Sequence, residues 1–156
     1  MEIVVKHARH DEIWFGSGNR HVRFGKQEFC LVTVLAFGEI HVHVINKYHH
    51  INDVIHERYF QSRSTHVDRL VARFQQCNFQ RSGDPIRLAL ALFVSLFFIG
   101  QDSRRSIPFW LWWYVEDLPR YNSFPWGSYI YSMTLYYCQR AFKHRGDWGY
   151  NLYGFP

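Results

Sequence analysis

A chain of 156 residues, 47% of them apolar and 20% charged, carries enough apolar surface for one folded core without disulfides or metal, which excludes a disordered polypeptide. Three cysteines, Cys30, Cys77 and Cys138, form no CxxC pair, so a disulfide framework and a structural zinc site are both without support and a reducing compartment fits best. The formal net charge of +5 arises wholly after residue 60, where eleven Lys/Arg face six Asp/Glu, against seven of each before it.

The N-terminal stretch MEIVVKHARHDE lacks the apolar core of a signal peptide. The next elements are two short runs rich in β-formers, Glu12–Phe15 and His21–Phe24, joined by GSGNR, which predict a β-hairpin. KQEFCLVTVLAFG then places Phe29, Val32 and Ala36 on one helical face, with Leu31, Val34 and Leu35 beside it and Gly38 as the stop. From Glu39 to Asn52, HVHVI alternates like an exposed strand before turning polar, and the segment is expected to be strand-like or loop.

STHVDRLVARFQQC is the clearest amphipathic helix. Thr65 and Asp68 stand at capping-box spacing, and Val67, Leu70, Val71 and Phe74 recur on one face. In DPIRLALALFVSLFFIG, Asp84 suits an N-cap, Pro85 the first turn and Gly100 the stop. Its uncharged run, Leu88–Gly100, is thirteen residues, short of the roughly 20 that cross a bilayer, and reads as a helix buried on all sides.

Twelve aromatic residues lie between Ile107 and Tyr137. IPFWLWWYVEDL predicts one helix ending before Pro119, and the chain is expected to turn through Pro119–Ser123. Pro125 then starts a second helix with Trp126, Ile130, Met133 and Tyr137 on one stripe. Packing both on the 85–99 helix would hide most of the rings. The fold expected is mostly α: an N-terminal β-hairpin followed by a compact bundle of about five helices, in a single domain spanning 1–156. The apolar ending at Pro156 suggests truncation within a larger unit, which would leave an apolar patch able to drive self-association.

Candidate chemistry is sparse. His41 with His43, and His49 with His50, lack the spacing of a metal site, and no cofactor is indicated. Glu116 and Asp117 are neighbours on a helix and do not converge on a substrate; capping the corner or pairing with Arg120 suits them better. Cys138 reads as a small core residue, and no phosphate-cradling glycine loop or nucleophile elbow is present. WLWWYV and YIYSMTLYY contain no basic residue, so the rings read as core rather than as a base-stacking surface. Arg63, Arg69, Arg73, Arg81, Arg104 and Arg105 are candidate phosphate contacts for nucleic acid, although only Arg104 and Arg105 are adjacent.

The order VRFGKQEFCLVTVLAFG, HERYF, DPIRLALALFVSLFFIGQDSRRSIP, VEDLPRYNSFPWGSYIYSMTL and YNLYGFP resembles a plant-specific domain of unknown function, DUF1985. The two most specific pieces are an R-F-x-x-x-E-F junction (Arg23, Phe24, Glu28, Phe29) and a D-L-x-x-[YF]-N-x-[YF]-P-W-G corner at Asp117–Gly127. The resemblance implies a helical, non-catalytic module akin to the plant mobile domain. Such modules sit beside a ubiquitin-like-protein-specific cysteine protease in transposon-derived nuclear proteins. No catalytic residue of that protease falls on any position here. The expectation is a binding or scaffold module for an unidentified protein partner, not an enzyme and not a membrane protein, located in the nucleus or cytoplasm. Asp117, Arg120, Tyr121 and Trp126 are the candidate interaction residues, and nucleic-acid binding through the 61–105 arginines is the alternative.

Overall fold

A computed structural model describes residues 11–17, 20–40, 55–61, 64–100 and 104–143. The described residues divide into two compact units, 11–40 with 125–143, and 55–124. The architecture is mostly α, headed by a two-stranded antiparallel hairpin, and no helix among the described residues is long and apolar enough to cross a membrane.

In the first unit, β1 (Ile13–Ser17) pairs with β2 (Arg20–Phe24), Ile13 opposite Phe24 and Ser17 opposite Arg20. Helix α1 (Lys26–Thr33) follows at once. Its entry is fixed by Glu28, whose Oε2 accepts the Gly25 N–H at 2.7 Å while Oε1 takes Arg23 Nη2 at 3.0 Å. Phe29 beside it is fully buried and meets Phe24 edge-on at 6.2 Å. The R-F-x-x-x-E-F spacing is therefore a strand-to-helix joint. Its backbone N–H bonds, with help from Arg23, hold the Glu28 carboxyl below its usual range.

Helix α1 stops five residues before the expected glycine. The Thr33 hydroxyl donates to Phe29 O at 2.8 Å and accepts the Leu35 N–H at 3.4 Å, and Val34 takes a left-handed conformation, φ 57°. Leu31, Val32 and Val34 consequently face outward rather than into a core. Helix α7 (Trp126–Lys143) packs on α1. Its buried face runs through Trp126, Ile130, Tyr131, Thr134 and Cys138; the expected stripe holds at Trp126 and Ile130, while Met133 and Tyr137 are half-buried.

The second unit contains α2 (Ile55–Tyr59), α3 (Val67–Gln75), α4 (Asp84–Phe93, continued by a π-helical turn over Val94–Phe98), α5 (Phe109–Glu116) and α6 (Leu118–Ser123). Helix α4 packs on α3 and α5, and α2 packs on both α4 and α5. Ile55, Val67, Leu70, Leu88, Ala91, Leu111, Trp112 and Val115 fill the interior. An isolated antiparallel bridge, His66 opposite Ser106, ties the approach to α3 to the approach to α5.

Several local expectations give way to tertiary partners. Thr65 does not cap α3: its hydroxyl lies 2.9 Å from Nε2 of the buried His56. Asp84 is the first residue of α4 rather than its cap, because its fully buried carboxylate is held by Arg58 and Tyr59. The run after it is not buried on all sides, since Ile86, Phe93, Leu96 and Phe97 are exposed. Pro119 does not open a turn; it occupies the first turn of α6, where a missing N–H is harmless. Gly100, at φ 59°, does mark the stop of the 84–98 helix. Residues 41–52, with His41, His43, His49 and His50, lie outside the described residues.

Candidate functional site

The densest polar cluster lies inside the second unit. Arg58, from HERYF, forks between two carboxylates: Nη1 to Asp84 Oδ1 and Nη2 to Glu116 Oε1, both 2.7 Å. Arg87, one turn into α4, donates Nε to the Glu116 carbonyl at 3.1 Å and Nη1 to Asp84 Oδ1 at 3.4 Å. Tyr59 donates its hydroxyl to Asp84 Oδ2 at 2.6 Å and accepts the Gln80 N–H at 2.6 Å. Glu116 Oε2 takes the Ile55 N–H at 2.8 Å, satisfying an orphan donor at the start of α2. Burial pushes the Asp84 carboxyl up, but the Tyr59 hydroxyl and the Arg58 guanidinium outweigh it and hold the group below its usual range. Every charge here has an opposite charge, and the arrangement joins the start of α2, the start of α4 and the end of α5.

The proline-bounded corner is built by a second set of contacts. Asp117 Oδ1 accepts the Arg120 N–H at 3.2 Å, capping α6, and Oδ2 pairs with Arg120 Nη2 at 3.1 Å. Arg120 also donates to Trp113 O at 2.8 Å, with its guanidinium 3.7 Å from the centre of the Trp113 ring. Asp117 thus pairs with Arg120 as expected, whereas Glu116 pairs with Arg58. Tyr121 is buried, and burial pushes its hydroxyl up to about 12. Trp126, the fourth candidate, is a buried residue of the first unit. Of the four candidates only Asp117 and Arg120 are brought together, and both are occupied in holding α6 on α5.

In the first unit the segment after α1 meets the start of α7. Gly127 donates its N–H to Ala36 O at 2.9 Å. Ser128 Oγ donates to Gly38 O at 2.7 Å and accepts the Gly38 N–H at 3.0 Å. A Cβ on Gly127 would lie 2.7 Å from the Phe37 ring and 2.8 Å from Ala36 O. Gly38 is spent on this joint rather than on ending α1.

On the surface, Arg69, Arg81, Arg104 and Arg105 are exposed, while Arg73 is half-buried with its guanidinium 4.8 Å from the centre of the Tyr59 ring. Arg63 lies outside the described residues. The bridge brings 104–106 beside the start of α3, Val67 N–H donating to Arg105 O at 3.2 Å and Ile107 N–H to Thr65 O at 2.8 Å. On α4, Ile86, Phe93 and Phe97 are 55%, 42% and 47% exposed, with Leu96 next to them and the Phe93 and Phe97 rings stacked at 5.2 Å. The sequence missed the Arg58 network and this apolar ridge. Its one available signal was the charges of HERYF, DPIR and VED embedded in apolar surroundings.

Burial raises the Cys138 thiol, which keeps it protonated and a poor nucleophile. Among the described residues, no group of three His, Cys, Asp or Glu could hold a metal ion.

The described residues form a mostly α structure headed by a two-stranded hairpin. The family described as "Domain of unknown function (DUF1985)" matches residues 2–136, and the chain belongs to that family. No curated protein and no solved structure matches it.

Proposed function

We propose that this domain is a non-catalytic binding module, accessory to a ubiquitin-like-protein protease in a plant transposable-element-derived nuclear protein. The observation that carries the binding role is the α4 ridge: Ile86, Phe93, Leu96 and Phe97 present an apolar surface, while Asp84 and Glu116 of the same unit are spent on the Arg58 network. Large rings at the centre of an apolar patch are what interface anchors consist of. The association with a protease rests on the family resemblance.

The test is a calorimetric titration of the purified chain with a purified ubiquitin-like-protein protease domain. Micromolar-or-tighter binding is expected, weakened at least tenfold by Phe93→Ser with Phe97→Ser. Both rings are partly solvent-facing, so the far-ultraviolet circular dichroism should be unchanged. Absence of binding overturns the protease association, and binding insensitive to both substitutions overturns the role of the ridge.

The alternative reading, nucleic-acid binding, is favoured by one observation, the exposure of the adjacent Arg104 and Arg105 next to the 66/106 bridge.

A further inference from the structure

We infer that the α4 ridge, when no partner occupies it, is covered by the same ridge of a second copy of this chain, the two helices lying antiparallel. This rests on the reading of the ridge as a binding surface and adds what covers it in the free chain.

The first step is that α4 is apolar on two sides and uses only one of them inside its unit. Leu88, Ala91 and Val94 are fully buried, and α4 packs on α3 and α5. Ile86, Phe93, Leu96 and Phe97 are exposed, with Ala89 and Leu90 half-buried among them. A helix apolar all round belongs in an interior, so this second face calls for a cover. Between Ile86 and Phe97 the single ionisable residue is Arg87, which is turned to Asp84 Oδ1 and the Glu116 carbonyl. Two copies of a chain of net charge +5 can therefore meet on this stripe without setting charge against charge.

The second step is the spacing, which names the cover. Ile86 and Phe93 are seven residues apart, and so are Ala89 and Leu96, the a and d spacing of a helix–helix seam. In an antiparallel pair an a position faces a d position of the other helix. Phe93 then meets Ala89, Ile86 meets Leu96, and a two-fold axis makes each contact twice. The largest side chain of the seam enters the space left by the smallest, and two isomeric side chains fill the other layer. A parallel pair would set Phe93 against Phe93 and Ala89 against Ala89, overfilling one layer and leaving a void in the next. The Phe97 ring, stacked on Phe93 at 5.2 Å, widens the ridge beside the seam.

The third step is strength. At roughly 200 Å² for a large apolar side chain and exposures of 36–55%, the four residues offer about 400 Å² per copy and about 800 Å² in the pair. That is below the roughly 1,200 Å² of a stable complex, so the pair is weak and reversible. A weak pair covers the ridge at high concentration and still yields it to a tighter-binding partner.

The experiment is sedimentation velocity of the purified chain from about 1 to about 300 µM, with a reversible monomer–dimer equilibrium of midpoint near 100 µM expected. Phe93→Ala, which leaves a void, and Ala89→Phe, which sets ring against ring, should each weaken it at least about tenfold. The double variant exchanges the two sizes and should return the midpoint to within about threefold of the wild type. Ile86→Lys, at the most exposed position of the ridge, should abolish the dimer with an unchanged circular dichroism spectrum, which separates loss of pairing from loss of fold. A chain that stays monomeric at about 300 µM overturns the pair. Association that survives Ile86→Lys lies on another surface and overturns it too, and a folded double variant no better than the single ones overturns the antiparallel seam. No protease enters these measurements, so their failure leaves the protease titration to be judged alone, and a failed titration leaves this pair standing.

Discussion

The two units are held by joints of opposite chemistry. In the first, Ala36, Gly38, Gly127 and Ser128 interlock through backbone groups and one hydroxyl, with no ionised atom. In the second, Arg58 and Arg87 draw Asp84 and Glu116 together between three helix ends. A neutral joint depends on close approach and therefore on the absence of a side chain, whereas an ionic joint depends on every charge keeping its partner. Perturbing volume should damage the first, and perturbing charge or pH the second.

The largest effect expected is from Arg58→Ala. It takes from Asp84, which has no solvent access, its short ionic partner, leaving only the Tyr59 hydroxyl and the longer 3.4 Å contact to Arg87, and it removes the 2.7 Å partner of Glu116. Breaking a buried pair from one side costs about 3–5 kcal/mol. Urea unfolding should show a loss of that size, and a loss below about 1 kcal/mol would mean that the network is solvated and the contrast between the joints is unfounded.

Next comes Gly127→Ala. Helix propensity alone favours alanine by about 1 kcal/mol. The added Cβ, however, would stand 2.7 Å from the Phe37 ring and 2.8 Å from a backbone oxygen, so the joint must open and the Gly127–Ala36 hydrogen bond lengthen. Overpacking of this kind costs about 1–3 kcal/mol. A net stabilisation on thermal unfolding would show that the segment 36–38 yields freely and is no joint.

The third effect separates the joints by pH. His56 is buried among Phe60, Phe109 and Trp112, and this burial depresses its pKa, while Asp84 is also held low. With the folded pKa below the unfolded value of about 6.5, the unfolded chain binds the His56 proton first. Stability is therefore full above about pH 6.5 and falls as the pH drops through the window beneath it. The Asp84 contribution is present above about pH 3.9 and is lost further down, through its own lower folded value. The neutral joint has no group titrating in either range. The urea midpoint should fall between about pH 7 and pH 5, and His56→Gln should flatten that slope; an unchanged slope would place the titration elsewhere.

What was legible in the sequence follows the same division between local and distant. The hairpin, the amphipathic 67–75 helix and the stop at Gly100 are set by neighbours in the chain, and all three stand in the structure. Thr65 and Asp84 are good caps by local rules, but His56, Arg58 and Tyr59 claim their oxygens from other elements. Helix α1 ends at Thr33 through local bonds of the Thr33 hydroxyl, but Ala36 and Gly38, read from the sequence as helix and stop, are bonded instead to Gly127 and Ser128 of α7, about ninety residues away, a partner no local window contains.

The smallest effect sharpens the neutral side of the comparison. Ser128→Ala removes a hydroxyl that both donates to Gly38 O and accepts from Gly38 N–H, without touching any charge. Because this joint is partly open to solvent, water can replace both bonds, and the net loss should stay near 1 kcal/mol. Since Ser128 does not titrate, the loss should be the same at about pH 5 as at about pH 7, where the His56 effect differs. A loss growing as pH falls would mean that the two joints unfold as one coupled system, and the proposed division of labour between volume and charge would have to be abandoned.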